Sequence, residues 1–177
     1  VTPFLKKEKN LVVFISHSHP DHFNPELKNL LKEYKVHYVV SEDVKVYAPE
    51  FLDGLEENLT ILKPGNRVTV KNIEIEALPS TDMGLAFFIT YEGLNIFFPG
   101  DFALWTWDTL DRETYEMLHE VFSKILNHVA TQNIDILFVV ADPRLHDAGW
   151  GGALTAIELT MPKKLVIPIH LAGQLNY

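Results

Sequence analysis

At 177 residues, with 47% apolar and 22% charged side chains, the chain has the size and balance of a single globular domain over 1–177, and no window stays apolar long enough to span a bilayer. Cysteine is absent, which excludes a disulfide framework and any thiolate–metal site and suits a cytoplasmic protein; the opening Val1–Lys7 also lacks the ordered regions of a signal peptide. A net charge of −9 argues against nucleic acid as a partner, since phosphate backbones are held by basic faces, although bound metal ions would add positive charge that this count omits.

Leu11–Ser16 is a continuous apolar, β-branched run, the pattern of a strand buried on both faces. At its carboxyl end three histidines and a carboxylate fall within six positions, His17-Ser18-His19-Pro20-Asp21-His22. An apolar strand end has no packing reason to gather imidazoles, because a buried ring nitrogen costs free energy unless it is paired. A divalent cation supplies the reason, since neutral imidazole and ionised carboxylate are ligands that zinc and its first-row neighbours select.

Asn24 and Pro25 then read as the cap and first position of a helix over Glu26–Tyr34, with Leu27, Leu30 and Leu31 at helical spacing. Val36–Val40 returns as a strand, which completes a βαβ crossover. The middle of the chain is a series of short strands, Leu59–Leu62, Arg67–Val70, Ile73–Leu78, Leu85–Tyr91 and Leu94–Phe98. The two-residue breaks Lys71-Asn72 and Glu92-Gly93 read as tight hairpins, and Pro64-Gly65-Asn66 as a further break. Two loops that follow strands each carry a carboxylate, Asp82 in Pro79–Gly84 and Asp101 in Pro99–Phe102.

The longest helical pattern lies between Asp108 and Gln132, with Tyr115, Leu118, Phe122, Ile125, Leu126 and Val129 on one stripe and His119 and His128 as surface residues. Ile134–Val140 is a buried-type strand ending at Asp142-Pro143-Arg144, Ala153–Met161 a short helix after a glycine-rich loop, and Leu165–Ile169 a last strand that delivers His170. Strands thus present polar residues repeatedly at their carboxyl ends, where open α/β sheets build sites.

With His17-Ser18-His19-Pro20-Asp21-His22, Phe97-Phe98-Pro99-Gly100-Asp101 and Pro168-Ile169-His170 in this order, the chain from about Leu11 to His170 resembles the metallo-β-lactamase superfamily. The resemblance implies an α/β fold, a four-layer αββα sandwich with a metal site at one edge. It implies that His17 and His19 bind a first metal, that Asp21, His22 and His170 bind a second, and that Asp101 bridges them. One or two divalent ions are then the cofactor, with zinc expected and manganese or iron as alternatives. Asp21 is expected to orient the attacking water or carry its proton as well as to ligate.

Two departures from the superfamily pattern stand out. Where a histidine usually completes the first metal site, matching Pro79 and Gly84 places Thr81; Asp82 beside it is either a substitute oxygen ligand or part of a turn. Only about ten residues precede the strand that delivers the first motif, so strands that usually come before it are expected to be missing from this chain.

The arrangement is similar to the branch containing ascorbate-6-phosphate lactonase, some members of which share the Ser-Thr-Asp-x-Gly loop, the tryptophans after Gly-Asp and the Asp-Pro-Arg-Leu segment. Trp105 and Trp107 are candidate pocket walls for a ring-shaped or sugar-like substrate, or else core anchors. Arg144 is a candidate anion receptor, or a partner of Asp142 or Asp147; His146 is a spare ligand or acid, or simply exposed. The expected function is hydrolysis of an ester, lactone or phosphoester bond of a small anionic molecule by metal-held hydroxide. A nuclease of the same fold and a metal-binding or ligand-sensing module without catalysis are the alternatives, and the oligomeric state is left open between monomer and homo-oligomer.

Overall fold

The computed structural model describes residues 10–107, 109–145 and 147–173; Val1–Lys7, Asp108 and His146 lie outside the described residues, as does the side chain of Asp147. Strands β1 (Asn10–Ile15), β2 (Lys35–Ser41) and β3 (Leu59–Leu62) pair in that order as a three-stranded parallel sheet. The first crossover begins as expected, with Asn24 Oδ1 accepting from the Glu26 N–H at 2.9 Å and Pro25 at the first position. It is a 3-10 helix over Pro25–Lys32, however, not an α-helix. The hydroxyl of buried Tyr38 donates to the Leu27 carbonyl at 2.6 Å and ties this segment to the sheet, and 3-10 spacing stacks Leu27 over Leu30 on the sheet.

The second crossover holds two short helices that the sequence analysis leaves unread, α1 (Glu42–Tyr47) and α2 (Pro49–Leu52). Val44 and Phe51 bury themselves beside Phe23 and Tyr38, with the Phe51 ring edge-on to both at 5.0 and 5.5 Å. Pro64-Gly65-Asn66 then carries the chain from one sheet to the other, so the series of short strands is divided between two sheets.

The second sheet has six strands in sequence order, β4 (Arg67–Val70), β5 (Ile73–Pro79), β6 (Leu85–Tyr91), β7 (Leu94–Phe98), β8 (Ile136–Val140) and β9 (Leu165–Ile169). Lys71-Asn72 and Glu92-Gly93 close the expected hairpins, each residue with positive φ as the turn matching strand twist requires. Because β5 and β7 are both antiparallel to β6, they run the same way, and β8 and β9 continue parallel to β7. The loops after β5, β7, β8 and β9 therefore leave at one edge of the sandwich.

The two sheets meet through Val39 and Leu62 on one side and Val70, Ile75, Ala77, Leu85, Phe87 and Ile89 on the other. On the far face of the larger sheet lie α3 (Arg112–Ala130) and α4 (Asp147–Thr160), packed through Phe122, Leu126, Val129, Ala153 and Ala156 onto Phe88, Phe97 and Leu137. With α1, α2 and the 3-10 helix outside the smaller sheet, the layers follow the expected αββα order.

Helix α3 is shorter than the pattern suggests, capped by Asp111, whose Oδ1 accepts from the Thr114 N–H at 2.8 Å. Helix α4 starts earlier than Ala153 and absorbs the glycine-rich stretch. A Cβ on Gly149 would stand 2.3 Å from the Asp142 carbonyl oxygen, so glycine there lets the helix lie against the end of β8. No helix among the described residues is long and apolar enough to cross a membrane.

Candidate metal centre

The residues with ligand chemistry converge at the edge where four strands of the larger sheet end. His17, His19, Asp21 and His22 follow β1, Asp101 follows β7, and His170 follows β9. Ser16 joins the two sheets here, its carbonyl accepting from the Leu85 N–H at 2.9 Å. That bond sets the end of β1, and with it His17, beside the start of β6.

Two groups of donors form. The ligand atoms of His17, His19 and Asp101 all lie within 4.8 Å of one another, and so do those of Asp21, His22 and His170. Asp101 faces both: Oδ2 is 3.4 Å from His17 Nε2, and Oδ1 is 2.9 Å from His22 Nε2 and 3.4 Å from His170 Nε2. Asp21 Oδ2 is 3.6 Å from His22 Nε2 and 3.5 Å from His170 Nε2.

Apart from the closer His22–Asp101 pair, these spacings suit an ion. Ligands at zinc bonding distance in a tetrahedron sit about 3.4 Å apart, whereas a hydrogen-bonded pair would be closer and aligned. His17 is wholly buried, yet its Nε2 has no hydrogen-bond partner, and Asp101 Oδ1 is likewise buried without an aligned donor. Buried nitrogen and oxygen lone pairs left this way cost free energy that a cation offsets. The nitrogen and oxygen donor set, with sulfur excluded by composition, fits zinc, manganese or iron.

The electrostatics agree with a shared charge. Burial alone would raise the Asp101 carboxyl, but His17 and His22 beside it, with the charge of His170, outweigh that and hold it well below the usual carboxylate range. Burial would lower His22, and the carboxylate of Asp101, followed by those of Asp21 and Asp82, outweighs it and raises the imidazole. The same carboxylates that favour the protonated form of His22 would favour a cation bound between them.

Beside these donors is an open cavity of about 450 Å³ lined by His19, Asp21, Asp82, Trp105, Trp107 and Arg144, among others. The two tryptophans stack at 5.9 Å and 10° but have different surroundings. Trp105 is buried, its indole N–H donating to the Asp101 carbonyl at 2.9 Å, so it anchors the loop that holds the shared carboxylate. Trp107 is 38% exposed and is the face open to a ligand. Arg144 is committed to Asp142, with Nε 2.9 Å from both carboxylate oxygens, and its guanidinium carbon lies 5.6 Å from the Trp107 ring centre. Of the two roles considered for Arg144, the pairing with Asp142 is therefore present. A second open groove of about 400 Å³ lies on β4–β6, where Glu76 is paired with Arg67 at 2.8 Å and His128 at 3.1 Å.

Thr81 does not stand in for a histidine. Its hydroxyl donates to the Ala103 carbonyl at 2.6 Å and accepts from the Ala103 N–H at 2.8 Å, tying the β5–β6 loop to the loop after Asp101. Asp82 combines both earlier readings: its N–H bonds Ser80 Oγ at 3.3 Å in a turn, and its Oδ2 lies 3.9 Å from His19 Nδ1. With a side chain 46% exposed, it stands outside the compact donor groups. Replacing Thr81 with valine leaves the Ala103 groups unpaired and is expected to cost about 2 kcal/mol in urea denaturation, with metal content unchanged. Loss of metal at unchanged stability would make Thr81 a ligand after all.

Two residues near the donors are not given a place in the site by the sequence. Ser16 Oγ lies 3.0 Å from His17 Nδ1 and 3.5 Å from His22 Nδ1, and Asp142 Oδ2 lies 3.0 Å from His170 Nδ1. The sequence marks Asp142 as a strand-end residue and a candidate partner of Arg144 but not as a neighbour of His170; Ser16, within an apolar run, gives no signal.

A family model described as Beta-lactamase superfamily domain matches residues 3–171. No curated protein sequence matches the chain. Among solved structures, a proposed metal-dependent hydrolase of Parabacteroides distasonis is 17% identical with a TM-score of 0.62, over 93% of this chain and 67% of that one. CmlA, a diiron beta-hydroxylase of Streptomyces venezuelae, is 13% identical with a TM-score of 0.63, over 94% of this chain and 37% of its own. The metallo-beta-lactamase fold protein YhfI of Bacillus subtilis is 14% identical with a TM-score of 0.55, over 90% and 64%. At these identities the likeness establishes a shared fold.

Proposed function

The chain belongs to the beta-lactamase superfamily domain family, and from that premise we propose that it is a metal-dependent hydrolase cleaving an ester, lactone or phosphoester bond of a small anionic substrate. The observation that carries this reading is Asp101, one oxygen 3.4 Å from His17 and the other 2.9 Å from His22 and 3.4 Å from His170, so that a single buried carboxylate faces both donor groups. The proposed ligands are His17, His19 and Asp101 for one ion and Asp21, His22, His170 and Asp101 for the other, with Asp82 an outer oxygen beside His19.

Zinc is the proposed metal, and the carboxylate share of the donor set keeps manganese and iron as alternatives. When bound, such ions supply a water of lowered pKa and positive charge for a developing oxyanion. Asp21, with 62% of its side chain exposed and one oxygen directed at His22 and His170, is placed to take the proton of the attacking water and release it to solvent. Trp107 offers a flat apolar face to a ring or sugar, and Trp105 keeps the Asp101 loop still beneath it. Arg144, held on one edge by Asp142, adds positive potential at the cavity wall toward an anionic group.

The tryptophans after Gly-Asp and the Asp-Pro-Arg-Leu segment support placing the chain near the ascorbate-6-phosphate lactonase-like branch, as one domain acting in the cytoplasm on a small molecule. Thr81, engaged with Ala103, favours a second reading in which one metal site is weak and the protein binds metal or ligand without turnover. Metal-loaded protein is expected to hydrolyse at least one member of a panel of anionic esters, lactones and phosphodiesters, with activity lost on chelator treatment and restored by metal. A loaded protein inert across the panel favours the non-catalytic reading. Strong salt-sensitive RNA binding would instead point to a nuclease.

A further inference from the structure

Asp142 closes β8 as a wholly buried carboxylate that, among the described residues, is held by Arg144 and His170. Its Oδ1 accepts from the Arg144 backbone N–H at 2.8 Å and from Nε at 2.9 Å, while Oδ2 accepts from Nε at 2.9 Å and from Nη2. The same Oδ2 lies 3.0 Å from His170 Nδ1. An ionised carboxylate only accepts, so the proton between them belongs to Nδ1. That leaves the Nε2 lone pair of His170 directed at the other donors, 3.5 Å from Asp21 Oδ2 and 3.4 Å from Asp101 Oδ1.

We propose that Asp142 is the positioning residue of His170, holding its ring proton at Nδ1 so that Nε2 is the atom presented to the metal, with Arg144 holding Asp142 in turn. The proposal rests on the metal-centre reading above. A free neutral imidazole prefers its proton on Nε2, which would block that atom. A carboxylate buried without partners is expensive, and the side-on guanidinium supplies the compensating charge. Helix α4 adds a backbone constraint, since Gly149 packs directly on the Asp142 carbonyl. Among the other proposed ligands, His17 and His22 turn Nδ1 toward the Ser16 hydroxyl, which can donate or accept, and His19 Nδ1 stands 3.9 Å from Asp82, beyond hydrogen-bond reach. At His170 the Nδ1 side is instead set by a charge, as outer carboxylates set it in many metal sites.

The test uses the full chain labelled with nitrogen-15, stripped of metal and held above the imidazole titration, with long-range proton–nitrogen correlation spectra reporting each histidine tautomer. Wild-type His170 is expected as the Nδ1–H form. In Asp142→Ala the Nε2–H form should appear, and affinity for zinc by chelator competition should fall about 10–100-fold. Asp142→Asn keeps an acceptor for Nδ1 but loses the charge that pairs with Arg144, and its affinity should fall about tenfold. An Nε2–H tautomer in the wild type, or an unchanged tautomer and affinity in folded Asp142→Ala, overturns the proposal. If Asp142→Ala does not fold, unchanged zinc affinity in Asp142→Asn overturns it. Wild-type protein with the Nδ1–H tautomer but no affinity for any transition metal overturns the metal-centre reading while supporting the proton placement.

Discussion

Joint replacement of His22 and His170 by alanine is expected to strip the purified protein of its transition metal. The two imidazoles and Asp21 form one donor group, completed by Asp101 Oδ1 at 2.9 Å from His22 and 3.4 Å from His170. A structural zinc site is worth roughly 10 kcal/mol or more over four ligands, so removing two weakens binding by about 5 kcal/mol, on the order of 10⁴-fold. The remaining group, His17, His19 and the other oxygen of Asp101, shares that carboxylate with the emptied site and has Asp82 3.9 Å from His19 in an exposed turn, so it is expected to lose its ion on dialysis as well. Metal analysis after dialysis reads the result, and circular dichroism should show the fold intact, because both rings lie at the sandwich edge rather than in its core. Stoichiometric metal content unchanged in the double variant would sink the assignment.

Gly84→Ala is expected to disable the site through the backbone. Gly84 has φ of +73°, and an added Cβ would stand 2.0 Å from the Ser16 carbonyl oxygen and 2.6 Å from His17 Cβ. Neither neighbour can rotate away: the oxygen is main chain and already accepts the Leu85 N–H at 2.9 Å, the bond that joins the two sheets at the site. The substitution must push the end of β1, carrying His17, out of place. Left-handed strain and overpacking together should cost about 3 kcal/mol in a urea titration, with reduced metal affinity. Gly54→Ala separates the two contributions, since Gly54 has φ of +72° but nothing within 4 Å of its added Cβ. It should lose only the strain, about 1 kcal/mol, and keep its metal. Equal behaviour of the two variants would refute the close-packing account.

The strands and most donors could be read from the chain because their signals are local. β5, β6 and β7 announce themselves by apolar runs and turn residues within a few positions, and His17 through His22 by their density alone. What the local signals leave out depends on contacts between elements. The first crossover is a 3-10 helix whose Leu27 carbonyl accepts from the hydroxyl of Tyr38 on the next strand. The glycine-rich segment is helical and lies against the end of β8, where Gly149 leaves room for the Asp142 carbonyl, a contact that no periodicity encodes. Thr81 looks like a histidine lost from a metal site until Ala103 is seen to take both sides of its hydroxyl.

By itself the sequence determined the chemistry on offer: nitrogen and oxygen donors without sulfur, delivered at strand ends in a definite order, with an αββα arrangement to carry them. Only the tertiary structure decided which donors face one another. The order β7-β8-β9 brings Asp101, Asp142 and His170 to one edge, and the Ser16–Leu85 bond brings His17 to meet them. Ligand identity is a property of single residues, but ligand geometry depends on strand pairing and sheet packing between distant segments. That is why the histidine cluster could be read at once and the family resemblance could name Asp101 as a bridge, while the distances that Asp101 keeps to each group, the loop clamp at Thr81 and the contact of Asp142 with His170 emerged only from the folded chain.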